Sequence, residues 1–373
     1  VSFTAAEALN EIEKLRGDHS KFNGGLMINK QYKLIVVGAS LKSSMKADSA
    51  QQIIEVCKIH AVSSKYNPIL VSKDKALRLL AAAQDISAED YRYDAAESVY
   101  QGLEYTENDV YDVEKLSVDQ KIANRFFLGR SKKLQVFFNG KLQLIEKNGK
   151  HKFNFHGITA KNDEQISALW ALTNPNIKFV SLQGKAGCGK TLLSLVAGIQ
   201  ALSDPNSSHE KIIVTRAMES VDGKPLGALP GNAEEKISPY MDGIWDNLNL
   251  IKRYIEKINF QGKDLEKKNS FESKIEATPF DLMRGRSLSN VWLIIDEGQN
   301  ISAHAMKTLL TRVDDSSKVI IMGDNDQIDH PYLDSRSNGM VRAINHFKGH
   351  PQAAHITLLS NERGDISNFA SKM

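Results

Sequence analysis

Short apolar runs alternating with helical-period segments dominate the second half of the chain. Lys178–Leu182, Lys211–Thr215, Val291–Ile295, Lys318–Met322 and His355–Leu359 are each rich in Val, Ile, Leu, Phe or Met. Runs of this length suit strands covered on both faces by helices. Leu192–Leu202 is apolar at helical spacing and follows the first run. The pattern predicts a doubly wound parallel sheet of the α/β class, with ligand at the carboxyl ends of its strands.

The first hundred residues mix both periods. Glu7–Arg16 reads as a helix with Ala8, Leu9, Ile12 and Leu15 apolar. Lys33–Val37 reads as a strand, Ile53–Val62 as a helix, Pro68–Val71 as a strand and Leu77–Ala83 as a helix. This alternation predicts a second, smaller α/β unit. The next stretch begins acidic and turns hairpin-like: Leu134–Phe138, a tight turn at Asn139-Gly140, then Lys141–Ile145. Asn-Gly between two strands is a strong hairpin signal. The expected organisation is an α/β domain at 1–100, a small β connector at 101–160 and the parallel-sheet domain at 161–373.

Composition narrows the function classes. Hydrophobic residues make up 41% and charged residues 25% of the 373 positions, which fits globular domains rather than a disordered chain. A net charge of +3 permits nucleic-acid binding without demanding it. Two cysteines, Cys57 and Cys188, are too few for a disulfide framework or a zinc cage. A reducing, cytoplasmic setting is therefore expected. No apolar run reaches the roughly 18 residues of a membrane span. The start, Val1-Ser-Phe-Thr-Ala-Ala-Glu7, lacks a signal peptide and an initiator Met. The expectation is a processed or partial version of a longer protein.

The chemistry concentrates after the first strand of the second half. Gly184-Lys185-Ala186-Gly187-Cys188-Gly189-Lys190-Thr191 matches G-x-x-x-x-G-K-[ST], with a strand before it and a helix after it. The glycines let backbone N–H groups approach phosphate oxygens, and the helix N-terminus adds partial positive charge. Lys190 suits the β/γ-phosphates and the Thr191 hydroxyl suits Mg²⁺. Val291-Trp-Leu-Ile-Ile-Asp-Glu297 delivers Asp296 to a strand end as a second Mg²⁺ contact, with Glu297 placed to polarise water. Ile321-Met-Gly-Asp-Asn-Asp-Gln327 follows another strand, and Gln327 suits sensing of the γ-phosphate or orientation of water. A turn built from Gly, Asp and Asn is the plainer reading of that stretch. Gln165, in Asn162-Asp-Glu-Gln165, reads either as a partner for the adenine edge or as part of a helix cap.

On these motifs the C-terminal domain resembles the PhoH-like ATPases, a branch related to superfamily 1 helicases. The resemblance covers about 161–373. Beyond the segments already quoted it rests on Thr215-Arg216, Leu226-Gly-Ala-Leu-Pro-Gly231, Glu235-Lys236, Pro239-Tyr240, Met283-Arg-Gly-Arg-Ser287, Asp296-Glu-Gly-Gln-Asn300, Leu310-Thr-Arg312, Gly323-Asp-Asn-Asp-Gln-Ile-Asp329 and Glu362-Arg363. Gly298 and Ala217 stand where the family usually has Ala and Pro. The N-terminal part is similar to PIN ribonuclease domains through Ala8–Arg16, Pro68–Arg78 and Ile86–Tyr91. The fused arrangement implies an RNA-unwinding ATPase joined to a single-strand ribonuclease.

That resemblance carries further expectations. The C-terminal fold should be RecA-like, hydrolysing ATP with Mg²⁺. PIN chemistry needs several carboxylates around Mg²⁺ or Mn²⁺. Glu11 and Asp74 match the family positions, Asp48 approximately, and the first-strand Asp is missing, so an incomplete and inactive PIN domain is expected. Asp74 reads equally as a helix cap. One P-loop per chain, set beside a helicase relationship, implies a homohexameric ring around single-stranded RNA. Arg363, or else Arg312, would be the arginine finger reaching the next subunit. Lys224, Lys236, Arg284 and Arg286 are candidates for RNA phosphates, or simply solvated loop charges. A nucleotide-controlled RNA-binding scaffold with slow turnover and no helicase activity is the competing reading.

Overall fold

The computed structural model describes residues 26–27, 33–34, 49–63, 68–72, 74–89, 100–107, 109, 113–147, 153–216, 233–262, 271–283, 285–330 and 333–360. The chain divides into two compact units, Val1–Asp94 and Ala95–Met373. The predicted helix at 7–16 lies outside the described residues, as do Glu11, Asp48, Lys224, Arg284 and Arg363.

In the first unit, β1 (Leu26–Met27) pairs antiparallel with β2 (Lys33–Leu34). Then come α1 (Ser49–Ser63), β3 (Ile69–Val71), α2 (Lys75–Ala82) and β4 (Ser87–Glu89), with β3 and β4 parallel. Ile54, Leu70, Leu77, Ala81 and Ile86 form their core. Asp74 starts α2: its backbone is extended and its Oδ1 accepts the Leu77 N–H at 3.1 Å. One of the orphan donors of the first turn is thereby satisfied.

The second unit opens with β5 (Leu103–Tyr105), β6 (Arg125–Leu128), β7 (Leu134–Phe138) and β8 (Lys141–Leu144), a four-stranded sheet in that order. Asn139 at φ 50 and Gly140 at φ 74 close the β7–β8 turn, the left-handed pair that a two-residue hairpin requires. A short hairpin follows, β9 (Asn154–Phe155) with β10 (Ile158–Thr159). The segment does not stand apart as a connector. Phe126, Leu134, Val136 and Phe138 share one continuous core with α3 (Asp163–Thr173) and the large sheet beyond it. Trp170 of α3 meets Phe126 and Phe138 edge-on, with ring centroids 5.6 and 5.4 Å apart. Edge-to-face contact adds to what area burial alone gives such rings.

The large sheet is built from β11 (Phe179–Gly184), α4 (Lys190–Ser203), β12 (Lys211–Arg216), α5 (Ala233–Gly262), β13 (Ile275–Ala277), β14 (Val291–Asp296), α6 (Ala303–Leu310), β15 (Lys318–Gly323), α7 (Gly339–Phe347) and β16 (Ala353–Leu358). Its six strands are all parallel, in the order β13-β12-β14-β15-β11-β16. Trp292 and Ile294 face the core of α3, α4 and α5, while Leu293 and Ile295 face that of α6 and α7. Burial on both faces explains why these strands read as unbroken apolar runs. Among the described residues the sheet gains β13, which the apolar pattern does not mark. It is a three-residue edge strand, half-buried throughout, so it leaves no apolar signature.

The crossovers fix where a ligand belongs. After β11 the chain enters α4 on one face, and after neighbouring β15 it reaches α7 on the other. The crevice between β11 and β15 at their carboxyl ends is the switch point at which doubly wound sheets bind ligands. Phe126 tests whether the β5–β8 sheet belongs to this body. It is fully buried, and all three tryptophans of the chain lie between 95 and 373. We expect Phe126→Ala to destabilise this unit by about 3–5 kcal/mol in guanidinium unfolding followed by tryptophan fluorescence. A change below 1 kcal/mol would mean that the small sheet is not part of the core.

Candidate nucleotide site

The P-loop is held open by its glycines. Gly187 and Gly189 have φ of 90 and 97, in the left-handed region that side chains avoid. Gly189 caps α4 with no side-chain hydrogen bond. The first N–H groups of α4 therefore lack a side-chain acceptor and suit an anion. Lys190 Nζ donates to the carbonyls of Gly184 and, at 3.0 Å, Lys185. These bonds fold its cation back over the loop. The Thr191 hydroxyl stands at the start of the same helix. Buried Cys188 lies with its sulfur 3.8 Å from Lys190 Nζ, and burial pushes its thiol pKa up.

Two strand ends complete the site. Asp296 closes β14, and its carboxyl is pushed up to about 6 by burial and then by the Glu297 charge, against the pull of Arg216. Asp296 Oδ1 accepts the Glu297 N–H at 3.0 Å. Glu297 takes φ 52, rare for a residue with a side chain, and so turns its carboxylate out of the strand line. Asp324 follows β15; its Oδ1 accepts the Asp326 N–H at 3.0 Å, while buried Oδ2 has no partner among the described residues. A desolvated carboxyl beside a second carboxylate, with an orphaned carboxylate oxygen one strand away, is what an added cation relieves. The donor set is all oxygen, so the residues fit Mg²⁺.

The residue that joins these ends is Gln299, which is completely buried. Its Nε2 donates to Glu297 Oε2 at 2.5 Å and to the Gln327 carbonyl at 2.8 Å. Its Oε1 accepts the Asp324 N–H at 3.0 Å. Gly323 is required beside it, because a Cβ there would stand 2.2 Å from Gln299 Oε1. Arg216, at the end of β12, holds the other oxygen of Glu297 at 3.3 Å. Sequence reasoning assigned no role to Gln299, Arg216 or Asp324. The signal available was a Gln two residues past the acidic pair, and only the tertiary closeness of residues 299 and 324 gives it meaning.

Gln165, expected as a partner for the adenine edge or as part of a helix cap, sits in the first turn of α3 behind the P-loop. Its Oε1 accepts the Lys161 N–H at 2.9 Å, and its Nε2 donates to the Cys188 carbonyl at 3.0 Å. The amide braces the back of the P-loop. Asn162 caps α3 by accepting the Gln165 N–H at 2.9 Å. Gln327 is exposed, joined to the network through its backbone carbonyl. Asp74 is occupied as a helix cap, and no cluster of three metal-ligating side chains occurs among the described residues. Of the candidate RNA contacts, Arg286 pairs with Glu276 at 3.0 Å.

Known proteins are similar to this chain in sequence. Residues 157–365 match the family described as PhoH-like protein, more than half of the chain. The chain belongs to the PhoH-like family. Residues 2–92 match the PIN domain, so this PhoH-like protein carries PIN at its N-terminus. It is 35% identical over 327 residues to Protein PhoH2 of Bacillus subtilis, covering 82% of this chain and 72% of that one. It is 30% identical to Protein PhoH2 of Thermobispora bispora, covering 100% and 86%. Protein PhoH of Escherichia coli is 37% identical over 47% of this chain and 46% of its own. Among solved structures, a Pif1 helicase from Candida albicans overlaps 57% of this chain and 43% of its own at 17% identity and a TM-score of 0.29. No described helix is long and apolar enough to cross a membrane.

Gln299 gives the site its test. Gln299→Met keeps the side chain's length and removes both polar ends. It leaves the Asp324 N–H unpaired, at a stability cost of about 1–3 kcal/mol, and lets Glu297 swing. We expect kcat for nucleotide hydrolysis to fall about 100-fold with little change in KM. An unchanged kcat would show that Glu297 does not depend on this amide.

Proposed function

We propose that the second unit is an ATP-hydrolysing motor that moves along single-stranded RNA, working as a ring of identical subunits, with the PIN unit handling the same RNA. The observation that carries the hydrolytic part is the buried amide of Gln299, which ties Glu297 to Asp324, just past the end of β15 and one strand from the P-loop strand. A nucleotide-binding turn alone has no use for a second carboxylate held in a left-handed backbone.

The chemistry follows from the placement. The P-loop N–H groups and Lys190 bind the phosphates, Lys190 giving up its contacts to Gly184 and Lys185 for phosphate oxygens. Thr191 and Asp296 would hold Mg²⁺, which supplies charge neutralisation at the terminal phosphates. Glu297 takes the proton of the attacking water. Gln299 and Arg216 aim that carboxylate from either side, and Gln327 would sense the γ-phosphate. The chain has one P-loop, so a neighbouring subunit would close the site, with Arg363 as its finger. Head-to-tail contacts of that kind close into rings. RNA as the polymer is supported by the PIN match.

Lys190→Ala should lose nearly all ATP turnover. Glu297→Gln should keep ATP affinity and hydrolyse it at least 100-fold more slowly. Single-stranded RNA should accelerate the parent protein, and mixing Lys190→Ala chains with Arg363→Ala chains should restore turnover. Parental turnover by Glu297→Gln would remove the base assignment. Turnover indifferent to RNA would favour a nucleotide-controlled scaffold, and a fully active monomer would remove the ring.

For the PIN unit we expect little metal-dependent RNA cleavage, because Asp74 is spent on capping α2. Asn caps helices as well as Asp does, so Asp74→Asn removes the charge and spares the fold. Labelled single-stranded RNA, incubated with Mn²⁺ or with EDTA, is the assay. Vigorous EDTA-sensitive cleavage, lost in Asp74→Asn, would make Asp74 a metal ligand instead.

A further inference from the structure

A nucleotide seated on the P-loop must lead its base away from the end at which its phosphates react. That end is marked by Asp296, Glu297 and Asp324, on the β14 and β15 side of β11. The base must therefore leave toward β16 and the N-terminus of α3. An aromatic ring waits at this corner. Tyr105, the last residue of β5, is 55% exposed. Its hydroxyl donates to Glu164 Oε1 at 2.8 Å.

Glu164 is itself immobilised. It is 4% exposed, and its Oε2 accepts the N–H groups of Leu359 and Ser360, just past β16, at 2.7 and 3.0 Å. The next residue of α3 is Gln165, whose amide reaches the P-loop carbonyl of Cys188. One helical turn thus ties the tyrosine ring, the end of β16 and the back of the P-loop together. The strand that carries Tyr105 is fixed as well: the Thr357 N–H donates to the Gln101 carbonyl at 3.0 Å, and the Phe126 N–H to that of Gly102 at 2.9 Å.

An exposed aromatic ring on an edge strand needs no explanation by itself. This one is anchored through its polar tip, which leaves the apolar face free and its direction set. A flat π-face held in a fixed direction matches a purine base, which offers a face for stacking. We propose that Tyr105 is the stacking wall of the base subsite of the nucleotide bound at the P-loop. The proposal rests on the ATP reading given above and adds where the base sits. The small β5–β8 sheet then takes part in the nucleotide site, contributing Tyr105 from outside the parallel sheet.

The test separates base from phosphate. Equilibrium binding of ATP, ADP and inorganic tripolyphosphate is measured for the full chain and for Tyr105→Ala and Tyr105→Phe. Loss of the stacked ring should weaken ATP and ADP about tenfold and leave tripolyphosphate unchanged. Tyr105→Phe keeps the ring and should stay within about threefold of the parent for all three. Unchanged tripolyphosphate binding shows that Tyr105→Ala has folded and that its P-loop is intact. Equal weakening of all three ligands would mean that the tyrosine only supports α3, and would overturn the proposal. A parent that binds ATP while Tyr105→Ala binds it equally well overturns this proposal alone. A parent that binds neither ATP nor tripolyphosphate overturns the nucleotide reading together with it.

Discussion

Two adjacent carboxylates, Asp296 and Glu297, must be held at one edge of a parallel sheet, with Asp324 past the end of the next strand. β14 ends in Asp296, with Glu297 the next residue, and its neighbour β15 ends just before Asp324. The register couples Ile295 to Ile321 and Gln183 to Gly323, so the ends of β14, β15 and β11 come out side by side. Burial, and then the neighbouring Glu297 charge, make Asp296 resist ionising and raise its pKa to about 6. Cations and dipoles at the same edge offset this: Arg216, the free N–H groups opening α4, and Lys190. The glycines follow from the same need, since amide and backbone must approach closely to reach the carboxylates.

The parts of this site readable from sequence are those whose meaning is local. The P-loop carries its chemistry in eight consecutive residues, and the apolar run before Asp296 says where that side chain emerges. Strands buried on both faces announce themselves as unbroken apolar runs, and their expected positions lie close to the observed ones. What was not readable depends on closeness across the fold. Gln299 looks like any polar residue after a strand until residues 324 and 327 are brought to it. Gln165 reads from sequence as a partner for adenine or as part of a helix cap, and its bond to a backbone carbonyl 23 positions away emerges only in the fold. β13 pairs along one edge with half-buried residues, so its sequence Ile275-Glu-Ala277 carries no period to read.

Helix α3 shows how the second unit transmits rigidity to the P-loop. Its N-terminus is capped by Asn162 and its side is gripped through Trp170 by the β5–β8 sheet. Its C-terminus is closed by a buried cation. Lys318 Nζ donates to the carbonyls of Ala171, Leu172 and Asn174, and its charge lies 5.3 Å from the Trp292 ring. Burial, and then the Lys178 charge, lower its pKa well below the ordinary lysine value. The last carbonyls of a helix carry partial negative charge and lack intrahelical donors. One ammonium with three protons satisfies three of them at once.

Lys318 also begins β15, the strand that ends at Gly323 and Asp324. The same strand therefore pins the far end of α3 and delivers Asp324 to the site, while the near end of α3 braces the P-loop through Gln165. Helix and strand form two sides of a closed frame, joined at one corner by Lys318 and at the other by the nucleotide site. A displacement of α3 along its axis would strip Lys318 of its acceptors and leave a buried, unpaired cation, among the costliest groups to bury. The frame therefore resists sliding, and the P-loop keeps its distance from the β15 carboxylate without a direct bond between them. Pairing of β11 with β15 sets that distance first, and the helix holds the loop to it when a ligand pulls on Lys190.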